Sequence, residues 1–165
     1  MADDAATGPG GSVLLLQFAK EPVAGQVKTR MQPHLSPQAA CDLHEELVRW
    51  VCLALCQSRL GDVELHCTGA AQHPVFRACQ ALGLKRVRPQ RGKNLGQRMH
   101  SAMAEGLQRY ANVILVGSDC PAIDSAYLRS AVEGLNHRDL VVGPAHDGGY
   151  VLIGARRIAG GLFEG

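Results

Sequence analysis

Two acidic loops carry the residues best suited to chemistry. Asp119 comes three residues after the apolar run 113–116, and Asp147 precedes two glycines in a turn between two further apolar runs. A carboxylate at the end of a buried strand costs free energy unless a charged partner meets it. Mg²⁺ or Mn²⁺ is such a partner, because one or two carboxylates can hold the ion while phosphate oxygens complete its coordination. Asp119 is therefore a candidate metal ligand, and Asp147 marks a second candidate site.

Turn chemistry offers an alternative for each loop. Asp-Gly between two apolar runs is a strong β-hairpin signal, although Gly148 and Gly149 would also let the backbone approach a ligand, because glycine has no Cβ. Asp119 could instead cap the turn before Pro121 or pair with a basic residue. Both interpretations stay open for both loops.

A third loop, residues 19–30, supplies positive charge. It combines three cations with a hydroxyl and a glycine, namely Lys20, Lys28, Arg30, Thr29 and Gly25. The spacing of a P-loop, G-x-x-x-x-G-K-[ST], is absent because Val27 stands where that motif has its second glycine. What remains fits a phosphate clamp, with a solvated basic loop as the alternative.

The segment 85–98 has six cations and no acidic residue. A nucleic-acid surface usually adds aromatic side chains on which bases stack, but the chain has only three Phe, three Tyr and one Trp. The net charge of +2 is also too small to imply a nucleic-acid partner. We therefore favour a wall that neutralises the phosphates of one nucleotide, or a solvated face, over an RNA-binding surface.

The apolar pattern predicts the elements that position these loops. Strands are expected at 13–18, 63–67, 85–88, 112–116, 140–143 and 150–154, with helices at 74–82, 95–110 and 125–135. Another helix starts at Ser36-Pro37 and places Leu43, Leu47, Val51 and Leu55 on one face. Such alternation predicts an α/β fold with a mainly parallel sheet covered on both faces. Ligands bind beyond the carboxyl ends of parallel strands, and all three loops fall there.

The chain as a whole fits one domain of 165 residues. Residues 1–12 are polar and glycine-rich, which predicts a disordered lead before a single domain from residue 13 to 165. None of the six cysteines forms a C-x-x-C pair, so we expect reduced thiols and a cytoplasmic location. No apolar stretch approaches the length of a membrane helix, so no membrane partner is expected.

Four segments, in order, carry a family resemblance. They are Phe18-Ala19-Lys20-x-Pro22-x-x-Gly25-x-Val27-Lys28-Thr29-Arg30, Leu95-Gly96-x-Arg98-Met99, Gly117-Ser118-Asp119-Cys120-Pro121 and Gly143-Pro144-Ala145-x-Asp147-Gly148-Gly149-Tyr150. Together they resemble a family of bacterial proteins of undefined activity, described as glycosyltransferase-like. That family is related to the nucleotide-diphospho-sugar transferases and, more distantly, to the guanylyltransferases of molybdenum-cofactor and deazaflavin-cofactor synthesis.

The resemblance implies the type A glycosyltransferase fold, a three-layer Rossmann-like sandwich that binds a nucleotide at the carboxyl edge of its sheet. Asp119 resembles the metal-holding aspartate of that fold, although a full Asp-x-Asp is absent, and Asp147 stands where the family has its second acidic loop. Both are then candidate catalytic residues. The implied substrate-binding residues are Lys20, Gly25, Lys28, Thr29, Arg30, Arg98, Gly148 and Gly149.

This chain also departs from the family pattern. The family usually has Gly-Asp-Leu-Gly-Glu-Arg where this chain has Lys93-Asn94-Leu95-Gly96-Gln97-Arg98. Amides replace two carboxylates, which argues against a metal, base or ribose role at this helix start. Relatives also continue beyond Phe163, so the domain is expected to be short at its C-terminus.

The resulting hypothesis is a transferase that depends on Mg²⁺ or Mn²⁺ and acts on a nucleotide sugar or a nucleoside triphosphate. Asp119 and Asp147 would face one pocket and hold the metal across the diphosphate, while Lys28 and Arg30 neutralise it. The acceptor and the oligomeric state stay open. The alternative is a non-catalytic nucleotide-binding or interaction protein that retains the fold.

Overall fold

A computed structural model describes residues 12–164 of the chain, so the predicted lead lies almost entirely outside the described residues. Six strands, four α-helices and a short 3-10 helix follow one another in this range. In chain order they are β1 (Val13–Lys20), the 3-10 helix (Thr29–Met31), α1 (Pro37–Ser58), β2 (Asp62–Thr68), α2 (Pro74–Ala81), β3 (Arg86–Pro89), α3 (Leu95–Leu107), β4 (Asn112–Val116), α4 (Ser125–Gly134), β5 (Leu140–Pro144) and β6 (Tyr150–Ala155).

The strands form one sheet in the order β3-β2-β1-β4-β6-β5. β1 pairs in parallel with β2 and β4, and β2 pairs in parallel with β3. β6 runs antiparallel to both of its neighbours, β4 and β5. The predicted α/β fold with a mainly parallel sheet is confirmed, and the turn at residues 145–149 is the hairpin that its Asp-Gly pair favoured.

Helices cover both faces of this sheet. Successive residues of a strand point to opposite faces, and β1 divides its side chains accordingly: Leu15 joins the core beneath α1, α2 and α4, whereas Leu14 and Leu16 join the core beneath α3. Because both faces are covered, β1 is buried from Val13 to Ala19. This is the continuous apolar pattern expected of a central parallel strand.

The buried face of α1 is turned relative to the predicted one. Ser36 caps the helix as expected, since its hydroxyl oxygen accepts a hydrogen bond from the Ala39 amide at 3.1 Å. Leu43 and Leu47 are only half-buried, however, and the fully covered stripe includes a histidine. Its members are Ala40, Cys41, His44, Val48, Val51, Cys52, Leu55 and Ser58.

The cysteines are unpaired, as expected, and the helices can be compared with the length of a membrane span. All six cysteines are free thiols, four of them buried and two, Cys56 and Cys120, half-buried. Among residues 12–164, no helix combines the length and the apolar character that crossing a bilayer requires.

Candidate functional site

The sheet topology brings the three predicted loops to one edge. β1 and β4 are parallel, and β5 shares their direction because β6 is antiparallel to both β4 and β5. The loop after β1, the loop after β4 and the hairpin after β5 therefore all leave the carboxyl edge of the sheet. This edge is where open parallel sheets bind ligands.

A cleft of about 460 Å³ opens at this edge between the loop after β1, α1 and the loop after β4. It gathers the predicted phosphate-facing residues with the first predicted carboxylate. The lining comprises Lys20, Gln26, Val27, Lys28, Thr29, Arg30, Met31, His44 and Asp119. Five residues singled out in the sequence thus share one concave surface, although 91 positions separate Lys28 from Asp119.

An ion pair joins the two sides of the cleft. The Lys28 Nζ atom donates a hydrogen bond to Asp119 Oδ1 at 2.7 Å. The Asp119 side chain is 73% exposed, and that of Lys28 is 17% exposed. The expectation of a costly buried carboxylate is therefore wrong, because the strand end releases Asp119 into solvent. Pairing with a basic residue, the alternative left open by the sequence, describes this geometry, and the metal role of Asp119 stays a prediction.

Internal hydrogen bonds shape the loop after β1. The Lys20 ammonium donates to the Gln26 carbonyl at 2.7 Å, which ties one end of the loop to the other. His44 Nε2 lies 2.8 Å from the Lys20 carbonyl oxygen. Since a carbonyl can only accept, this contact assigns the proton to Nε2. Sequence reasoning missed His44, whose only signal was a polar residue on a helix face that packs against the sheet.

A buried polar link fixes the loop that carries Asp119. Gln17 is completely buried, and its Nε2 donates to both the Val48 carbonyl and Ser118 Oγ at 3.0 Å. The Ser118 hydroxyl in turn donates to the Phe18 carbonyl at 2.7 Å. The link holds the residue next to Asp119 against β1. Gln17 could have been found as the one amide within an otherwise apolar strand.

The second carboxylate stands apart from this cleft. Asp147 Oδ1 accepts a hydrogen bond from the Gly149 amide at 3.0 Å, as a turn aspartate does. Gly148 has a φ of +89°, a conformation that glycine supplies at no steric cost. Asp147 lies at the same sheet edge as Asp119 but is not among the residues that line the cleft. Its part in the site, with that of Gly148 and Gly149, stays a prediction.

The start of α3 uses its amides for capping. Asn94 Oδ1 accepts from the Gln97 amide at 2.9 Å, and Gln97 Oε1 accepts from the Lys93 amide at 2.9 Å. Arg98 Nε donates to the Gly92 carbonyl at 3.1 Å, so Arg98 is also held within this segment. A larger cavity, of about 610 Å³, separates this helix start from residues 160–164. Its lining contains no lysine or arginine. We therefore regard the 460 Å³ cleft at Lys28 and Asp119, called the first cleft below, as the better phosphate site.

Much of the basic segment is matched by carboxylates of the protein. Lys85 pairs with Asp62 at 2.9 Å, Arg86 pairs with Glu64 at 2.7 Å, and Arg88 pairs with Glu105. These ion pairs join β3 and the residue before it to β2 and α3. The three cations are consequently less available for a polyanion than the sequence suggests.

Any metal in the first cleft would need ligands beyond the protein. Among residues 12–164, no group of three or more His, Cys, Asp or Glu side chains is arranged to hold a metal ion. An exposed carboxylate beside several cations nevertheless fits Mg²⁺ or Mn²⁺ that arrives with a diphosphate. Such ions keep water ligands and bind one or two carboxylates plus phosphate oxygens.

Comparison with known proteins shows the family and the fold family of this chain. The chain belongs to the family described as uncharacterized protein conserved in bacteria (DUF2064), whose model matches residues 47–165. A crystal structure of a candidate nucleotide-diphospho-sugar transferase from Desulfovibrio desulfuricans G20 is 30% identical, with a TM-score of 0.82 over 93% of this chain and 68% of that one. The predicted family and the nucleotide-diphospho-sugar transferase fold are thereby confirmed.

Two further proteins are less similar, one in sequence and one in fold alone. The 2-phospho-L-lactate guanylyltransferase of Methanothermobacter thermautotrophicus is 28% identical over 122 residues, which cover 74% of this chain and 53% of that enzyme. The chain thus spans about half the length of this curated relative. A Mycobacterium tuberculosis H37Rv protein in complex with manganese shares the fold, with 21% identity and a TM-score of 0.53 over 86% of this chain and 70% of that one.

Proposed function

We propose that this protein is a transferase that acts on a nucleotide-activated substrate, either a nucleotide sugar or a nucleoside triphosphate. The observation that carries the proposal is the first cleft, whose lining combines three cations, a threonine hydroxyl and Asp119 at the carboxyl edge of the sheet. Similarity to a guanylyltransferase and to a candidate nucleotide-diphospho-sugar transferase supports it. Phosphate-centred transfer fits this arrangement, because it needs positioning and charge neutralisation more than covalent help.

Each residue of the cleft has a role in this proposal. Lys28 and Arg30 neutralise the diphosphate, and Thr29 offers a hydroxyl between them. Gly25 lies in the same loop but does not line the cleft; its φ of +84° is a conformation that glycine adopts at no steric cost, so in the proposal it sets the course of the loop. Lys20 closes the loop through its bond to the Gln26 carbonyl.

Asp119 would hold Mg²⁺ or Mn²⁺, with phosphate oxygens and water as the other ligands. The manganese in the Mycobacterium tuberculosis H37Rv neighbour supports a divalent cation in this fold. When bound, the ion supplies positive charge at the diphosphate. In the proposal Asp147 is a second ligand, reached from the hairpin, while Arg98, Gly148 and Gly149 contact the rest of the substrate.

A thermal-shift panel tests the proposal. We expect nucleotides with Mn²⁺ to raise the melting temperature, since a ligand that binds only the folded state stabilises it. Asp119→Asn should remove the metal-dependent part of this shift. It should lower the stability of the free protein by no more than about 1 kcal/mol, because an exposed ion pair contributes little. We do not expect the variant to be more stable than the wild type, because the charged contact of Asp119 is the oppositely charged Lys28.

Arg129→Met serves as the control, because Arg129 is an exposed cation of α4 outside the cleft. Its nucleotide response should equal that of the wild type. The absence of a shift with every nucleotide, with or without Mn²⁺, would contradict nucleotide binding.

Product analysis then separates the two transfers. Glycosyl transfer breaks the bond between the sugar and the diphosphate and releases a nucleoside diphosphate, whereas nucleotidyl transfer breaks the bond after the α-phosphate and releases pyrophosphate.

The second candidate function, nucleotide binding without catalysis, is favoured by the use of Asn94 and Gln97 as helix caps. It predicts a thermal shift with neither product.

A further inference from the structure

We infer that Lys28 is an exchangeable occupant of the cation position at Asp119. In the nucleotide-free protein its ammonium balances the carboxylate, and on binding a divalent cation takes the carboxylate while Lys28 passes to the phosphates. This inference rests on the proposed function. It adds that metal and phosphate bind cooperatively, because the metal must release Lys28 from Asp119 before Lys28 can bind the phosphates.

The ammonium lies where a cation would bind. Lys28 Nζ is 2.7 Å from Asp119 Oδ1, the length of a charge-assisted hydrogen bond. In the cleft, Lys20 is engaged with the Gln26 carbonyl. Lys28 is thus the cation that competes with an incoming metal for the same oxygen.

The pair is built to separate. Asp119 is 73% exposed, so water can replace the ammonium and a hydrated ion can approach without any rearrangement of the core. Lys28 has a φ of +53°, in the left-handed region that residues other than glycine seldom adopt. Only 17% of the surface of its side chain is exposed. Backbone strain of this kind concentrates at ligand clamps and switch regions, where the surrounding structure holds it.

Exchange makes the sign of the coupling predictable. Without phosphate, a divalent cation must displace an ammonium that then has no anionic partner, so metal alone binds weakly. With phosphate present, the displaced ammonium gains a new anion. Since linkage is reciprocal, phosphate should strengthen metal binding by the same factor as metal strengthens phosphate binding.

The variant Lys28→Met separates exchange from a merely structural role. It keeps an unbranched side chain of similar length but cannot pair with Asp119. We expect it to bind Mn²⁺ alone more tightly than the wild type, by roughly two- to fivefold, the range expected from losing an exposed ion pair. Its pyrophosphate affinity should fall, and the coupling between Mn²⁺ and pyrophosphate should shrink.

The experiment measures free Mn²⁺ by electron paramagnetic resonance during titration of the folded full chain, with and without inorganic pyrophosphate. Arg30→Met is the matched variant: it removes a cleft cation that does not pair with Asp119, so it should weaken pyrophosphate binding without tightening Mn²⁺ alone. Arg129→Met controls for the loss of a distant positive charge. Melting curves establish that each variant is folded.

Each outcome decides the matter. Tighter Mn²⁺ binding by Lys28→Met, together with reduced coupling, supports exchange. Mn²⁺ binding that requires Asp119 but is unchanged or weaker in Lys28→Met overturns exchange and leaves the proposed function standing. If neither the wild type nor Lys28→Met binds Mn²⁺, with or without pyrophosphate, and Asp119→Asn behaves as the wild type does, both exchange and the metal role of Asp119 are wrong.

Discussion

At the scale of single residues, the protein treats two carboxylates in opposite ways. Asp119 keeps most of its surface in water and has one ammonium beside it. Glu64 is fully buried, with Arg86 at 2.7 Å, Arg109 at 3.0 Å and His66 at 3.2 Å. A buried charge that is fully matched holds structure together, whereas an exposed carboxylate with a displaceable partner remains available to a ligand.

Glu64 should make stability depend on pH. Burial alone would raise the pKa of this carboxyl, but hydrogen bonds from His66, Arg109 and Arg86 outweigh burial and hold the pKa well below its usual range. A carboxyl whose pKa is lower in the folded than in the unfolded chain stabilises above the unfolded pKa, and that contribution is lost as pH falls toward the folded value. We expect wild-type stability to decrease progressively below about pH 5.

Urea unfolding of Glu64→Gln between pH 7 and pH 3 checks this. The variant should be less stable at pH 7 by about 3 kcal/mol, since two arginines lose a buried partner. It should also lose less stability on acidification than the wild type. Asp139→Asn, which breaks the exposed pair with Arg156, should give much smaller changes. Parallel pH curves for wild type and Glu64→Gln would show that Glu64 does not carry the acid sensitivity.

At the scale of elements, the site depends on how β1 and β4 are joined beyond their backbone ladder. Gln17 and Ser118 connect β1 to the loop after β4 through side chains, and Ser118 directly precedes Asp119. Because these hydrogen bonds hold Ser118 against β1, they fix the backbone position from which the Asp119 side chain extends. Precise placement of this kind is what a preorganised electrostatic site requires.

Ser118→Ala should therefore affect both stability and binding. Removing the hydroxyl leaves Gln17 with one partner and the Phe18 carbonyl without its hydroxyl bond, at a cost of about 1–3 kcal/mol. Because the loop then loses its tie to β1, pyrophosphate should raise the melting temperature less than in the wild type. Ser130→Ala, at an exposed position of α4, is the control and should change neither property. A loss of stability with an unchanged pyrophosphate response would restrict Ser118 to a structural role.

The sequence predicted these elements because their signals are local. The predicted bounds of the six strands agree with the observed ones to within two residues, most clearly for the continuous apolar runs of β1 and β4, and the Asp-Gly pair predicted the β5–β6 hairpin. The predicted face of α1 was correct for Val51 and Leu55, which are buried, but wrong for the leucines at 43 and 47, which are half-buried while His44 is covered. The face of a helix that packs on a sheet depends on strand residues that are distant in the chain. The periodicity of the helix's own residues carries no information about them.

At the scale of the whole molecule, topology explains what the sequence placed correctly and what it could not. Strand order brings three distant loops to one edge, as the rule for open parallel sheets predicted. The contact between Lys28 and Asp119 was not predictable, because any of several cations could have met that carboxylate. The exposure of Asp119 was equally out of reach, since it depends on the exact turn by which β4 ends.

Mn²⁺ broadening of backbone amide signals maps the site across the entire chain. With pyrophosphate present, we expect broadening at residues 20–30 and 117–121, and also at 145–149 if Asp147 completes the coordination as proposed. Asp147→Asn should then abolish the hairpin effect and leave the other two segments broadened. Broadening confined to the first two segments in the wild type would make Asp147 a turn residue alone.

The central place of β1 also governs how the chain assembles. Leu14 pairs with Asp62 on one side and with Val113 on the other, so its second neighbour comes from a part of the chain synthesised much later. Closing so long a loop is entropically costly and slows folding relative to local contacts. During synthesis on the ribosome, the backbone N–H and C=O groups on one edge of β1 have no hydrogen-bond partners in β4 until residues 112–116 have emerged. The strand that leads into the first cleft is therefore, during synthesis, open to mispairing along that edge.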